Sequence, residues 1–299
     1  LVDNIIDMAY IDNLFGKLAE DHCDLDVFIE TKSNLQKRQI KTLAAGGVKC
    51  MQPGLESLSV NQLRAMDKGV TPMQNIICLK WSLYYHVMVS WNILLGFPGE
   101  TNEDYQRQLD LIPSLLHLQP PEATGKFWLQ RFSPYFTRPH EYGIRITGPG
   151  MAYEYVYDGR QVDLEKIAYD FEYELDNWPV DSHLYQELVA RVESWQRLHK
   201  SGDRPFLYYS KAPSYVTIYD GRNPKAPTRR RYEGLAVLVI EICNESAKTV
   251  EQIRATVAGR ADCDDVVLLP TLSELAVQRV LYEERGKYFT LAIPENPYL

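Results

Sequence analysis

Over its first 136 residues the chain alternates two hydrophobic rhythms. Short apolar runs at residues 24–31, 48–54, 87–95 and 127–132 stop at glycine, proline or polar side chains, as buried parallel strands do. Between them, apolar residues return at helical spacing. Leu35, Ile40 and Leu43 precede a Gly46-Gly47 stop, Val60, Leu63 and Met66 follow Ser59, and Ile76, Ile77, Leu79 and Leu83 follow Thr71-Pro72. Ser59 is placed as an N-cap with Gln62 three residues on, Gly69 as a left-handed stop, and Pro72 in the first-turn position that needs no donor. Thr101 caps a further helix through Leu116, with Glu103 and Asp104 in its first turn. Strand, helix, strand, helix in this order predicts an α/β fold of parallel strands joined by right-handed crossovers.

The pattern changes after residue 136. Residues 137–160 are rich in proline, glycine and tyrosine and read as an excursion, a candidate lid on the substrate side. Helices are predicted over residues 164–178 and 185–199, the second with Leu188, Val192, Trp195 and Leu198 on one face, and residues 200–205 read as a boundary. Beyond it, residues 206–209 and 215–219 read as strands, 232–243, 250–257 and 272–285 as helices, and 288–293 as a last strand. Small helices with terminal strands suggest a winged-helix-like α+β module. The chain thus divides into 1–136, a lid and helical extension 137–200, and a C-terminal domain 201–299.

Composition narrows the function classes. With 299 residues, 45% of them hydrophobic, the chain can bury a sizeable core. Its formal charge of −8 argues against a general nucleic-acid or membrane-surface role, and Arg229-Arg230-Arg231 is the one basic cluster that stands out. Apolar runs are too short to span a bilayer and no charged-then-apolar segment opens the sequence, so a cytoplasmic location is expected. Five widely spaced cysteines suit reduced thiols and form no thiolate metal motif. The six histidines lack metal-ligand spacing, which favours packing or surface roles, and phosphate-loop and hydrolase signatures are missing from the sequence.

In parallel α/β folds, chemistry gathers at the carboxyl ends of the strands. The polar groups in those positions are Asp3 and Asn4, Glu30 and Lys32, Gln52 with Glu56 and Ser57, Asn92, and Gln130 with Arg131 and Ser133. A carboxylate that ends an apolar strand needs a partner on a half-buried rim, which singles out Glu30 and Glu56. For Lys32, an ion pair with either carboxylate and contact with a ligand both remain open. Asp3-Asn4 reads equally as a helix cap, and Pro98-Gly99 alone as a turn.

Taken in order, these segments resemble a known superfamily. They are Gln52-Pro-Gly-Leu-Glu-Ser-Leu-Ser, Leu63-Arg-Ala-Met-Asp-Lys-Gly-Val-Thr, Gln74-Asn-Ile, Leu79-Lys-Trp, Trp91-Asn, Gly96-Phe-Pro-Gly-Glu with Tyr105, Arg131-Phe-Ser-Pro-Tyr-Phe and Arg138-Pro. Together they look like the radical S-adenosylmethionine superfamily, and more closely its cobalamin-associated maturases of ribosomally made peptides. The resemblance runs from residue 1 to about 175. It implies a partial (β/α) TIM-like barrel of radical S-adenosylmethionine type, incomplete at its N-terminus, that cleaves the cofactor at a [4Fe-4S] cluster fed by an external electron donor and acts on a precursor peptide. It also implies that Asp3, Asn4, Glu30, Lys32, Gln52, Gly54, Glu56, Ser57 and Asn92 cradle the cofactor, with Gly96, Pro98 and Gly99 on the adenine side and Gln130, Arg131 and Ser133 after the last strands. C-methylation through cobalamin is one form this chemistry takes, and the C-terminal module is then a dock for the peptide's leader.

The sequence departs from that pattern in lacking the CxxxCxxC loop that ligates the cluster, together with any cobalamin-binding segment. The expectation is therefore a fragment or degenerate remnant that is inactive by itself. Tyr85-His86 also replaces the glycine usual before the fifth strand. A non-catalytic peptide-binding accessory and an ordinary TIM-type barrel enzyme using the same rim carboxylates are the competing readings.

Overall fold

The computed structural model describes residues 5–175, 181–258 and 265–295. Five parallel strands make an α/β wall: β1 (Val27–Glu30), β2 (Val48–Gln52) and β3 (Met88–Val89) in one ladder, β4 (Asn92–Leu95) and β5 (Ala123–Lys126) in the next. Strand alternation decides what each side meets. Ile29, Met51, Val89, Ile93 and Leu95 are buried in one apolar cluster with residues of α2 (Lys37–Ala45), α4 (Pro72–Tyr84), α5 (Asn102–Leu115) and α9 (Ser182–Lys200). Phe28, Gln52 and Met88 alternate with them and stay exposed. At the start, a π-helical turn (Ile11–Phe15) and α1 (Gly16–Glu20) pack beside α2, with Ile11 and Phe15 fully buried.

The Ser59 and Thr101 caps and Pro72 in a first turn, read from sequence, are present, and the structure adds side-chain partners to them. Thr71 and Gln74 form a capping box at α4 with Pro72 in its first turn, Thr101 and Asp104 form another at α5, and Ser59 accepts from the Gln62 amide at α3 (Val60–Ala65). Each is worth about 1 kcal/mol. The stop after α3 differs from expectation: Asp67, at φ +52, takes the left-handed position, and Lys68 N–H closes back onto Leu63 O at 3.0 Å. Gly69 is also left-handed, at φ +66, but lies two residues farther on. His86 adopts φ +57 where the family pattern has glycine.

Several predicted elements are corrected by packing. The run at 87–95 is two strands, because Trp91 turns into the helical layer, donates from its indole N–H to Gln119 O at 3.1 Å and meets Trp195 edge-on. The strand expected at 127–132 lies earlier, as β5. Phe127 N–H still extends the ladder to Leu95 O, while Leu129–Gln130 (β6) joins an antiparallel sheet. In that sheet, of order β6-β8-β7, β7 is Ile144–Pro149 and β8 is Asp170–Leu175. The polar-apolar alternation Asp-Phe-Glu-Tyr-Glu-Leu therefore overrides the helix predicted at 164–178, of which α8 (Leu164–Ile167) is the helical part and 176–178 lie outside the described residues. Short helices α6 (Pro134–Thr137) and α7 (Ala152–Val156) fill the excursion.

The C-terminal third holds two further sheets. One has the order β11-β10-β9-β15, from β9 (Leu207–Lys211), β10 (Tyr215–Asp220), β11 (Thr228–Glu233) and β15 (Ile293–Pro294). The other, β12-β14-β13, is built from β12 (Lys248–Thr249), β13 (Leu281–Glu284) and β14 (Lys287–Thr290), and α10 (Leu235–Ile242), α11 (Val250–Val257) and α12 (Asp265–Val277) accompany it. The helix expected at 232–243 is preceded by strand β11. The one expected at 272–285 starts earlier and ends at left-handed Arg279, after which Arg285 (φ +53) and Gly286 (φ +74) turn β13 back into β14.

Polar bonds fasten this third to the wall's helices. Buried Lys80 of α4 donates to Asn244 Oδ1 at 2.6 Å and to Thr290 O at 2.7 Å, Met73 N–H donates to Glu284 Oε2 at 2.7 Å, and His117 Nε2 bonds Leu291 O at 3.1 Å. None of the described helices is long and apolar enough to cross a membrane.

Candidate functional site

Two tight turns build the rim. After β2, Gly54 and Glu56 sit at φ +57 and +60, and a left-handed non-glycine residue costs on the order of 1–2 kcal/mol. Glu56 is held there by its own carbonyl, which accepts from Leu94 N–H at 2.9 Å, and by the Asn75 carboxamide, which donates to Leu55 O at 3.0 Å and Ser57 O at 2.9 Å. After β4, Gly96 and Gly99 both take φ +84, and Glu100 folds beneath the turn. Its carboxylate accepts from Gly96 N–H at 2.9 Å, Tyr105 OH at 2.6 Å and Gln62 Nε2 at 2.9 Å.

One buried polar network joins these turns. Ser57 Oγ donates to Gln62 Oε1, which also accepts from Gln108 Nε2 at 3.1 Å, and Ser59 Oγ donates to Asp104 Oδ1 at 2.7 Å. Burial pushes the Glu100 carboxyl up despite its donors, and raises the Tyr105 phenol beside it. For Asp104 burial acts upward, but bonds from Asn61, Ser59 and Thr101 outweigh it and hold the carboxyl below its ordinary value. Satisfied networks of this kind fix geometry.

A cavity of about 600 Å³ is lined by Lys68, Asn92, Leu94, Phe97, Gln130, Ser133 and Tyr135, among others. Lys68 Nζ sits 3.0 Å from Glu56 Oε1, with both side chains half-buried, and Gly54 lies beside this pair. The apolar wall is aromatic: Phe97 stacks on Phe127 at 4.8 Å, and Tyr135 tilts against both. Tyr135 donates to Ala65 O at 2.8 Å, and burial pushes its phenol up to about 12. A second hollow of about 790 Å³ adjoins across Lys126, Phe127 and Trp128 and is otherwise walled by residues 150–153 and 170–175.

Of the sequence-selected residues, Asn92, Gln130 and Ser133 line the cavity, and Gly54 and Glu56 stand beside Lys68. Ser133 also caps α6, accepting from Phe136 N–H at 3.2 Å. Glu30 and Gln52 pair in register at the ends of β1 and β2, away from this lining, and Lys32 is exposed. The partner of Glu56 is Lys68. Ser57 is wholly buried within the network, and Gly96, Pro98 and Gly99 shape the second turn, which sends Phe97 to the wall. Arg131 turns toward β8, donating from Nε to Ala168 O at 2.6 Å and stacking on Phe171. Asp3 and Asn4 lie outside the described residues.

The chain reading did not select Gln62, Asn75, Gln108 or Tyr135. The first three were masked as ordinary helical polar positions, and their burial is the signal that a sequence does not carry. The described cysteines do not converge on an iron-sulfur site, and burial pushes the Cys78 and Cys243 thiols up to about 12, while Cys263 lies outside the described residues. Among the described residues no three His, Cys, Asp or Glu side chains converge as metal ligands.

No family model matches the chain. Over 119 residues it is 23% identical to an uncharacterized methyltransferase of Pyrococcus horikoshii, a match covering 38% of this chain and 26% of that protein. The chain thus spans about a quarter of the length of this curated relative. Among solved structures it is similar to the radical S-adenosylmethionine methyltransferase TsrM of Kitasatospora setae, with tryptophan substrate and a cofactor analogue bound, at TM-score 0.42 and 15% identity over 62% of this chain and 40% of that one. It is also similar to the cobalamin-dependent S-adenosylmethionine radical enzyme OxsB, at TM-score 0.41 and 12% identity over 64% and 32%, and to the radical enzyme HemN of Escherichia coli, at 0.37 and 13% over 95% and 71%. These are partial likenesses of an α/β chain to radical S-adenosylmethionine enzymes.

Proposed function

We propose that the 600 Å³ cavity binds S-adenosylmethionine and that the chain is the cofactor-binding core and tail of a radical enzyme that modifies a ribosomally made peptide. The observation carrying this reading is that Lys68, Asn92, Gln130 and Ser133 line one aromatic-walled cavity along β4 and β5, where Asn92 opens β4 instead of ending a strand as expected, while Glu56 pairs with Lys68 beside that lining. The donor set fits the ligand. Glu56 accepts from the methionine ammonium, Lys68 donates to its carboxylate, and Asn92 and Ser133 bond ribose hydroxyls. Phe97, Leu94 and Tyr135 give the adenine an apolar wall and keep water from it.

When bound, the cofactor supplies a methyl group or a deoxyadenosyl radical, and the protein's part is to hold it against the target. The hollow beyond Trp128 receives the peptide, and the C-terminal helices with their three-stranded sheet are read as a winged-helix module that takes its leader. Methyl transfer with cobalamin is the form we favour, in keeping with the segments 52–105 that resemble cobalamin-associated maturases and with the methyltransferase relative of Pyrococcus horikoshii. A [4Fe-4S] cluster finds no ligand set among the described residues, and no step is assigned through it.

Saturation-transfer NMR on the full chain with S-adenosylmethionine, S-adenosylhomocysteine and AMP tests the site. All three should show contact with the protein, with the adenine protons strongest, and Asn92→Ala with Lys68→Met should weaken binding at least tenfold while the fold persists. Absence of any signal at millimolar ligand, or undiminished binding by the folded double variant, overturns the reading.

A further inference from the structure

Strand β11 is the outermost strand of the β11-β10-β9-β15 sheet, six residues long, and all of it but half-buried Tyr232 is exposed. One of its edges is paired to β10 along its whole length, and the other faces no strand of the sheet. An edge of that length presents a row of backbone donors and acceptors, a template for another strand. The three consecutive arginines at 229–231 decide which strands it accepts. Successive side chains point to opposite faces, so Arg229 and Arg231 share the face carrying Tyr215 and Tyr219, and Arg230 lies on the other.

The two arginines on the tyrosine face are held in place. Arg231 lies 3.7 Å over the Tyr215 ring and Arg229 5.5 Å over Tyr219, which itself stacks on Tyr208 at 4.9 Å. Cation–π seating limits the freedom of the guanidinium groups before a partner arrives. Only Glu233 on β11 carries the opposite charge, and it pairs with Arg231 at 2.7 Å. In a chain of net charge −8 this strip is thus a local inversion of sign. Basic side chains on an edge repel uncharged or basic strands through desolvation and like charge, but an acidic strand neutralises them.

We infer that β11 is a docking edge for an extended acidic peptide segment, added as a fifth strand to this sheet. Carboxylates at alternate positions meet Arg229 and Arg231 on the tyrosine face. Main-chain bonds supply affinity, and the alternating charges set register and exclude other strands. This refines the reading that the C-terminal third engages a peptide, and it is tested without any cofactor.

Fluorescence anisotropy on the full chain decides it. The probe is a labelled ten-residue peptide alternating Glu with Thr or Val, set against the same peptide with Lys for Glu, the acidic peptide N-methylated at alternate residues, and a ten-nucleotide oligothymidine. The acidic peptide should bind, and the basic and N-methylated peptides should not. Arg229→Gln with Arg231→Gln should weaken binding about tenfold, equal to about 1.4 kcal/mol, with the melting curve confirming that the sheet is intact. Arg229→Lys with Arg231→Lys keeps the charge and should retain most of the affinity should the glutamine pair prove unstable. Binding of the N-methylated peptide equal to that of its parent, tighter binding of the oligonucleotide, or indifference to both arginine pairs overturns the inference.

Discussion

Replacing Lys80 by methionine and Asn244 by alanine separates two energies that meet at one buried lysine. Lys80 is fully buried, and its amine donates to Asn244 Oδ1 at 2.6 Å, Thr290 O at 2.7 Å and Asn244 O at 3.2 Å, with the Trp81 and Phe289 rings 4.9 and 4.6 Å away. Lys80→Met keeps the volume and orphans three acceptors. At about 1 kcal/mol each that is roughly 3 kcal/mol, offset in part by no longer burying an ammonium, so the net cost is about 1–3 kcal/mol. Asn244→Ala does the reverse, leaving the charge buried with its shortest acceptor removed, and should cost more, about 3–5 kcal/mol. The double variant should cost less than the sum.

Burial pushes the Lys80 pKa well below its ordinary value, with nearby Lys37 acting in the same direction. A lysine depressed in the fold binds fewer protons there than when unfolded. Its contribution is therefore most unfavourable below the folded pKa, and stability is regained as pH rises toward 10.5. Urea unfolding of the wild type and of Lys80→Met, measured across that alkaline window, should show the difference between them shifting in favour of the wild type. A larger loss for Lys80→Met than for Asn244→Ala, or a difference that does not change with pH, would falsify this account.

Further outcomes follow from the same geometry. His117 is fully buried, and burial, with Arg222 nearby, lowers its pKa to about 3; because its folded pKa is depressed, stability should fall by roughly 1.4 kcal/mol per pH unit as pH drops from 6.5 toward 3. His117→Gln should remove that limb from thermal melts recorded across the range, and an unchanged limb would assign acid sensitivity elsewhere. Gly54→Ala places a Cβ at φ +57, so backbone strain should cost about 1–2 kcal/mol in a thermal melt and weaken S-adenosylmethionine binding by shifting the turn that carries Glu56, although the Cβ itself would meet Glu56 and Lys68 only at ordinary contact distance. Full retention of both properties would show that this turn tolerates side chains.

Local chemistry written in consecutive residues was legible in the chain. The Ser59 and Thr101 caps, Pro72 in a first turn and the apolar stripe of α9 all depend on neighbours within one helical turn, and the structure contains them. So was the alternation that gives an α/β wall, together with the rim segments 52–57 and 91–100, because strand ends and turns are encoded by glycine, proline and polarity in sequence order.

What remained was settled by partners distant in the chain. Trp91 leaves its strand because Trp195 and Gln119 wait in the helical layer, and residues 170–175 become a strand because β7 offers a ladder. Lys68 rather than Lys32 reaches Glu56, and Gln62, Gln108 and Glu100 become one network only when two turns approach. Propensity within a segment differs by fractions of a kcal/mol per residue, whereas burying a ring or satisfying a carboxylate is worth several times that. For this protein the sequence therefore determined where helices and turns begin, and the tertiary structure decided which strand residues face the cavity and which pair holds its charged end.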